Sequence, residues 1–150
     1  VSMSTPSVVE FVGDNSFAVY VHHDGYPERM IPLLKEFLKW NKARNNDAGY
    51  TAANFIYWYK KRSLKKARAM TREYKAEERD HKGFLLQVEQ SGVGFYETKG
   101  LRDMEHGYID YLYRVNLPTE GQFLAVLIQH YRLPLDKICN DPEQEVEVIV

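Results

Sequence analysis

Tyr20, His22 and Asp24 are the residues whose types and spacing come nearest to a site of chemistry. They belong to an alternating segment, 17–24, and alternate residues of a strand point to the same face. A histidine beside a carboxylate can act as a general base or as a pair of metal ligands. A structural role also fits, in which Asp24 caps the turn and holds His22 by a hydrogen bond. The sequence favours the structural role and leaves His22 and Asp24 as candidate catalytic residues.

The other components of an enzyme are not recognisable in the sequence. It contains no Gly-x-Ser-x-Gly nucleophile motif, no phosphate-binding glycine loop and no His-Glu-x-x-His spacing around His22. The single cysteine, Cys139, excludes an internal disulfide and a cysteine-based metal site. His106 could join His22 and Asp24, although nothing in the sequence requires it. We expect no metal and no cofactor, and we favour a non-enzymatic role over a hydrolase or metal-dependent enzyme centred on His22 and Asp24.

Positive charge is concentrated in one segment. Residues 60–82 contain ten Lys or Arg and four Asp or Glu, whereas the whole chain has a net charge of −1. In a helix, residues three and four apart are surface neighbours, so seven cations would share one stripe roughly 31 Å long. These seven residues are Lys61, Lys65, Arg68, Arg72, Lys75, Arg79 and Lys82.

The stripe has three functional interpretations besides a solvated helix face. Neighbouring like charges destabilise a helix by roughly 0.2–0.5 kcal/mol per pair, and an acidic partner would relieve this repulsion. That partner could be an acidic protein surface, nucleic acid, or the acidic remainder of a second copy in a homodimer. The pI of about 6.6 weighs against a dedicated nucleic-acid binder. We therefore predict contacts with an acidic protein surface through Lys61, Lys65, Arg68, Arg72, Lys75 and Arg79.

Four tyrosines cluster on neighbouring predicted strands: Tyr96, Tyr108, Tyr111 and Tyr113. Aromatic side chains on a sheet beside a basic helix can form a stacking platform for single-stranded nucleic acid. However, Tyr111 and Tyr113 alternate in phase with Ile109 and Val115. This pattern favours a place in the core, beneath the helices.

Hydrophobic periodicity predicts the elements that position these residues. Alternation with a period of two predicts strands at 8–12, 17–23, 84–90, 93–98 and 108–117. Residues 122–131 fit a helix with a capping box or a returning strand, and the strand is favoured. Helical spacing predicts a first helix from about Ile31-Pro32 and a second from Thr51 to about Asp80, stopped by Gly83. Leu135 to Asn140 could form one helical turn.

This order predicts an α+β fold in which an antiparallel sheet of about four to six strands packs against two helices, the second long and basic. We expect one domain over 1–150, with 1–6 flexible or derived from cloning and 141–150 an acidic tail or an edge strand. A content of 44% hydrophobic and 27% charged residues is typical of a globular protein. No apolar run reaches the roughly 20 residues of a membrane span, and the start does not resemble a signal peptide. Together with the lone cysteine, this predicts a cytoplasmic protein without membrane contact.

Two short blocks carry a resemblance to a known family. Residues 20–28 read Tyr-x-His-x-Asp-Gly-Tyr-Pro-Glu, and residues 106–113 read His-Gly-Tyr-Ile-Asp-Tyr-Leu-Tyr. Both resemble, in the same order, motifs of a family of small uncharacterised proteins from phages and prokaryotic genomes. The second block departs at Tyr108, where an acidic residue is usual. The resemblance implies a phage or mobile-element product acting in the host cytoplasm, a kind of protein that often binds and blocks host machinery, including defence systems.

Together these observations favour a protein-interaction module that binds and inhibits a host or defence-system protein. Arginine is a frequent interface hot spot, so Arg68, Arg72 and Arg79 are the contacts we expect to matter most. Nucleic-acid binding through the basic helix 60–82 is the first alternative. The enzyme centred on His22 and Asp24 is the second.

Overall fold

Within the described part of the chain, six strands and three α-helices make up the fold. The structure is a computed structural model that describes residues 4–73, 78–97, 109–118, 125–133 and 142–149. The strands are β1 (Ser7–Val12), β2 (Ser16–Val21), β3 (Val93–Tyr96), β4 (Tyr111–Asn116), β5 (Ala125–Arg132) and β6 (Gln144–Ile149). The helices are α1 (Pro27–Trp40), α2 (Ala48–Glu73) and α3 (Glu78–Gln90), with a short 3-10 helix at Lys42–Arg44. No described helix has both the length and the apolar character to cross a membrane.

The α+β class is confirmed, but the sheet is mixed rather than antiparallel. Its strand order is β3-β2-β1-β4-β5-β6. The central strands β1 and β4 run parallel, with Ser7 opposite Tyr111, while every other neighbouring pair is antiparallel. The antiparallel prediction was wrong at this pair because alternation identifies a strand and its two faces but not its direction.

The helices cover one face of the sheet with an apolar core. Five residues of α1 at spacings of one, three and four are buried there: Met30, Leu33, Leu34, Phe37 and Leu38. Phe11 of β1 meets Phe37 and Phe55 with ring centroids 6.0 and 5.5 Å apart. Such aromatic pairs contribute about 0.5–1.5 kcal/mol beyond their buried area. The predicted alternation of β2 is confirmed, since Val19 and Val21 belong to this core and Ala18 and Tyr20 lie on the other face.

The predicted burial of the tyrosines on β4 is confirmed in large part. Tyr113 and Val115 are buried in the core beneath the helices, and Tyr111 is half-buried against it. Ile109 does not share their face. It precedes β4 and packs in a second apolar cluster with Val8 and Leu112 on the opposite side of the sheet. Alternation cannot be extended beyond the first residue of a strand, and Ile109 lies two residues outside β4.

Residues 78–90 depart most from the sequence-based prediction. The structure has α3 where a strand was predicted at 84–90, and Gly83 lies inside that helix instead of ending one. Helix α2 is described to Glu73, and Asp80 belongs to α3. Because α3 runs back along α2, with Lys60 bonded to the Glu89 carbonyl, one continuous helix to Asp80 is also wrong. Phe84, Leu86 and Val88 alternate, but Phe84 and Val88 are also four apart, and so short a window fits both periods. Packing against α2 decides in favour of the helix.

The remaining boundaries are mostly as predicted. Residues 125–132 form a strand, and β6 at Gln144–Ile149 is an edge strand rather than a tail. The strand β3 forms and pairs antiparallel with β2. Helix α1 begins at Pro27, so Pro32 lies inside it. The predicted turn at 135–140 lies outside the described residues.

Candidate functional site

A buried polar network fixes the corner between α1 and α2. The side-chain amide of Asn41, at the end of α1, donates to Asn45 and to Thr51 of α2, each at 2.9 Å. Asn54 donates back to the Asn41 side chain at 2.8 Å. The N–H of Tyr50 donates to Asp47 at 3.0 Å, which caps the start of α2. Satisfied buried hydrogen bonds of this kind define one relative position of the two helices.

This corner brings two exposed aromatic side chains together. Trp40, the last residue of α1, stacks on Tyr57 of α2 with ring centroids 6.4 Å apart and an interplanar angle of 28°. Trp40 is 53% exposed and Tyr57 is 56% exposed. The ammonium of Lys61, one helical turn further along α2, lies 5.7 Å from the centroid of the Tyr57 ring. A stacked pair of large rings in contact with a cation is thus presented to solvent.

Four of the predicted partner-binding residues continue this surface. Lys61, Lys65, Arg68 and Arg72 lie on α2 at spacings of four, three and four, and all are exposed. Over that distance α2 advances roughly 17 Å. We call Trp40, Tyr50, Tyr57 and these four cations the aromatic–basic face. Lys75 and the Arg79 side chain lie outside what the structure describes.

The predicted stripe does not continue as one helix beyond Glu73. Helix α3 runs back along α2, since the ammonium of Lys60 donates to the carbonyl of Glu89 at 2.9 Å. Lys82 therefore belongs to a different helix from Lys61. The stripe of cations on α2 is shorter than predicted. Trp40 and Tyr57 extend the same surface, and the charge pattern could not reveal them.

Arg62, a neighbouring cation on α2, is ion-paired within the described residues, unlike the four cations of the aromatic–basic face. Arg62 lies 2.8 Å from Glu36 of α1 and stacks over Trp58 at 5.2 Å. In the part of the chain that the structure describes, none of the four cations of the aromatic–basic face forms an ion pair. An acidic partner could therefore contact these four charges without displacing an intramolecular carboxylate among the described residues.

The other predicted site lies at the end of β2. The hydroxyl of Tyr20 is hydrogen-bonded to Nδ1 of His22 at 2.7 Å, so these two side chains point the same way, as predicted. Burial, with smaller contributions from Asp110 and Tyr96, raises the pKa of Tyr20, so its hydroxyl keeps its proton at neutral pH. The expected hydrogen bond from Asp24 to His22 is not among the hydrogen bonds of the described residues. Asp24 is exposed and has a φ of 55°.

The residues around Asp24 form a tightly held turn. The Gly25 N–H donates to Thr5 at 2.7 Å, and the buried hydroxyl of Tyr113 donates to the Gly25 carbonyl at 2.6 Å. A Cβ at Gly25 would lie 2.5 Å from Ser7, so glycine is needed there. Arg29 donates to the Asp24 carbonyl at 3.2 Å and to the hydroxyl of Tyr59 on α2 at 3.0 Å. These contacts give the Asp-Gly-Tyr-Pro block a structural role.

His22 and His23, which come just before this turn, line a cleft between α2 and α3. The cleft has a volume of about 870 Å³. Its walls include Tyr59, Ala67 and Met70 of α2 and Phe84 and Val88 of α3. Among the described residues that line it, those that carry a charge or an imidazole are His22, His23, Lys60 and Lys66. This cleft could not be predicted from the sequence, because alternation favours a strand rather than a helix at 84–90.

The positions of His22 and Asp24 do not strengthen the hypothesis of an enzyme. Among the described residues no group of three or more His, Cys, Asp or Glu side chains could hold a metal ion. His106, the suggested third member, lies outside the described residues, as do Tyr108 and Cys139. Catalysis by His22 and Asp24 therefore stays a hypothesis.

Comparison with known proteins does not add a function. No protein-family model matches the chain, and no curated protein or solved structure matches it significantly. The resemblance of the two blocks to a phage family stays a prediction, and the function has to be argued from the chain's own surfaces.

Proposed function

We propose that this chain is a protein-interaction module that binds an acidic surface of another protein through the aromatic–basic face. The observation that carries the proposal is the stacked Trp40–Tyr57 pair, more than half exposed and continuous with a row of exposed cations on α2. Trp, Tyr and Arg are the residue types most enriched among interface hot spots. An acidic partner would bury both rings and neutralise the row.

The two halves of the face would contribute differently to binding. Charges such as Lys65 and Arg72 mainly accelerate the encounter and set its orientation, because exposed ion pairs are screened by solvent and salt. Trp40 and Tyr57 offer rigid apolar area, which is removed from water only in the complex and so slows dissociation. The proposed role combines this binding face with the resemblance of the two sequence blocks to phage proteins. We propose a cytoplasmic phage or mobile-element protein that binds and inhibits a host or defence-system protein.

Nucleic-acid binding is the second candidate, and the same rings favour it. Bases stack on exposed aromatic side chains while cations follow the phosphates, and Trp40 and Tyr57 beside Lys61 offer both. The two candidates differ in their dependence on salt, because each phosphate contact releases counterions. They also differ in sensitivity to nuclease.

Affinity capture from bacterial lysate tests the proposal. The native chain is compared with a face variant that carries Lys61→Gln, Lys65→Gln, Arg68→Gln and Arg72→Gln. A control variant removes four other exposed cations and so changes net charge equally: Lys35→Gln, Lys39→Gln, Lys42→Gln and Arg132→Gln. Each capture is run with and without nuclease treatment.

We expect a protein that is retained by the native chain and by the control variant, that resists nuclease, and that is lost with the face variant. Retention of nucleic acid alone would replace the proposal by its second candidate. Equal retention by the face and control variants would contradict any role for the aromatic–basic face.

A further inference from the structure

The cleft between α2 and α3 lies apart from the aromatic–basic face. We propose that it binds a small amphipathic anion, a single-chain carboxylate whose head lies at the histidine end and whose apolar chain runs between the two helices. This proposal does not depend on the partner-binding role.

The apolar part of the cleft is formed by one face of each helix. On α2, Ser63, Ala67 and Met70 are separated by four and three residues, and on α3 Phe84 and Val88 are four apart. Met70 and Phe84 nevertheless remain exposed at 43% and 39%. Protein interiors are normally close-packed, so exposed apolar side chains lining a concave site mark a place for an apolar occupant.

One end of the cleft collects the polar groups. The ammonium of Lys60 is held at the C-terminal end of α3 by its hydrogen bond to the Glu89 carbonyl, 2.9 Å away. The backbone N–H of His22 donates to the Gly92 carbonyl at 2.9 Å, and this bond holds the two histidines beside the loop that contains Gly92. The His22 and His23 rings are 4.4 Å apart and meet edge-on. Two imidazoles and an ammonium can all donate hydrogen bonds to an oxyanion.

The positive charge of the residues that line the cleft favours a negatively charged ligand. His22, His23, Lys60 and Lys66 line the cleft, and none of the lining residues that the structure describes is Asp or Glu. The ammonium groups of Lys60 and Lys66 would attract a carboxylate and repel an alkylammonium. A neutral alcohol of equal length would keep the apolar contacts and lose the ionic ones.

Size selects a small molecule rather than a folded partner. A volume of about 870 Å³ falls within the usual range of small-ligand sites, about 300–1,000 Å³. From Lys60 to Met70, helix α2 advances roughly 15 Å. That length suits an alkyl chain of medium length placed along the helix.

Fluorescence titration of the full chain with 11-(dansylamino)undecanoate tests the proposal. We expect saturable binding that is displaced by decanoate at concentrations at least about tenfold lower than by decanol or decylamine. Absence of saturable binding would overturn the proposal, as would displacement by all three competitors at equal concentrations.

Matched variants place the ligand in the cleft. Val88→Glu puts a negative charge on its wall and should weaken binding at least about tenfold, whereas Leu86→Glu, on the exposed side of α3, should leave binding unchanged. Lys60→Gln with Lys66→Gln should also weaken binding about tenfold, but Lys61→Gln with Lys65→Gln should not. The lysine pairs decide the matter if circular dichroism shows that Val88→Glu has unfolded. Equal binding within each matched set would overturn the assignment to this cleft.

Discussion

Tyr113 connects the turn that carries His22 and His23 to the centre of the sheet. Its ring is buried beneath the helices, and its hydroxyl donates to the Gly25 carbonyl at 2.6 Å. Burial, with smaller contributions from Tyr111, Glu28 and Glu143, raises the pKa of this hydroxyl well above its ordinary value of 10.0. Ionisation would place a negative charge in the core and abolish the hydrogen bond that Tyr113 donates.

Replacement of Tyr113 by Phe should therefore change both the stability of the protein and the dependence of that stability on pH. At neutral pH the Gly25 carbonyl loses its buried donor, and the free energy of unfolding should fall by about 1–3 kcal/mol. Above pH 10, Tyr113 ionises in the unfolded chain before it ionises in the folded one, so the unfolded state binds fewer protons there. The stability that this tyrosine contributes is thus complete below pH 10 and declines as pH rises above it, by about 1.4 kcal/mol per pH unit at most.

Urea unfolding of the native chain and of Tyr113→Phe between pH 8 and pH 11 measures both effects. The variant should be less stable at pH 8 and should lose stability less steeply above pH 10. Tyr111→Phe is the control, since Tyr111 lies on the same strand but its hydroxyl forms no hydrogen bond within the described residues. Parallel pH profiles for native chain and Tyr113→Phe would contradict this account of Tyr113.

At the same scale, the sequence showed which residues share a side but not which residues become partners. The common direction of Tyr20 and His22 follows from local alternation, and it is confirmed. The partner of Gly25 is 88 residues away along the chain, and no local pattern contains it. The hydrogen bond expected between Asp24 and His22 was inferred from proximity in sequence, whereas His22 is bonded to Tyr20.

Among the elements, the parallel pair β1 and β4 is joined across the sheet by an ion pair. Arg114 lies opposite Glu10 and donates to its carboxylate at 2.8 Å, with the Glu10 side chain only 10% exposed. The guanidinium also lies over the ring of Tyr131 of β5, 5.3 Å from its centroid. One arginine of β4 thus contacts both neighbouring strands, β1 and β5.

Arg114→Met should lower the free energy of unfolding by about 1–3 kcal/mol, because Glu10 would be left buried without its cation. Adding Glu10→Gln should recover part of that loss, because the remaining group is then neutral. Denaturant unfolding of both variants measures the effect, with Arg132→Met, an exposed arginine on β5, expected to change stability by less than about 0.5 kcal/mol. A double variant less stable than Arg114→Met alone would contradict the pairing.

Period and propensity predicted most elements but failed where two periods fit one short window. Val8 to Val12 form a strand, as alternation predicted, and β5 at Ala125–Arg132 agrees with the strand favoured over a helix for 122–131. In α3, the residues from Phe84 to Val88 satisfy both alternation and a helical repeat, and only the neighbouring α2 resolves the choice. That single error hid the cleft, because a strand at 84–90 would not run back along α2.

For the whole molecule, the charge pattern pointed to α2 and the tertiary structure supplied what charge alone could not. The four cations Lys61, Lys65, Arg68 and Arg72 are exposed on one helix, as the spacing predicted. Trp40 reaches Tyr57 only because the buried network around Asn41 sets α1 against α2. No sequence period links a residue at the end of one helix to the third turn of the next. The aromatic half of the face therefore had to come from the fold.

That aromatic half gives the most direct test of the proposed function. We would compare capture from bacterial lysate by the native chain, by Trp40→Ala with Tyr57→Ala, and by a control with Phe95→Ala and Ile149→Ala. The control removes the two most exposed large apolar side chains of the described residues, 69% and 72% exposed, on the edge strands. The readout is the amount of each retained protein, quantified by mass spectrometry.

We predict that a protein retained by the native chain and by the control falls at least about tenfold with the Trp40 and Tyr57 variant, as expected for the loss of hot-spot side chains. Equal recovery of that protein by all three chains would contradict the claim that the aromatic–basic face is the binding surface.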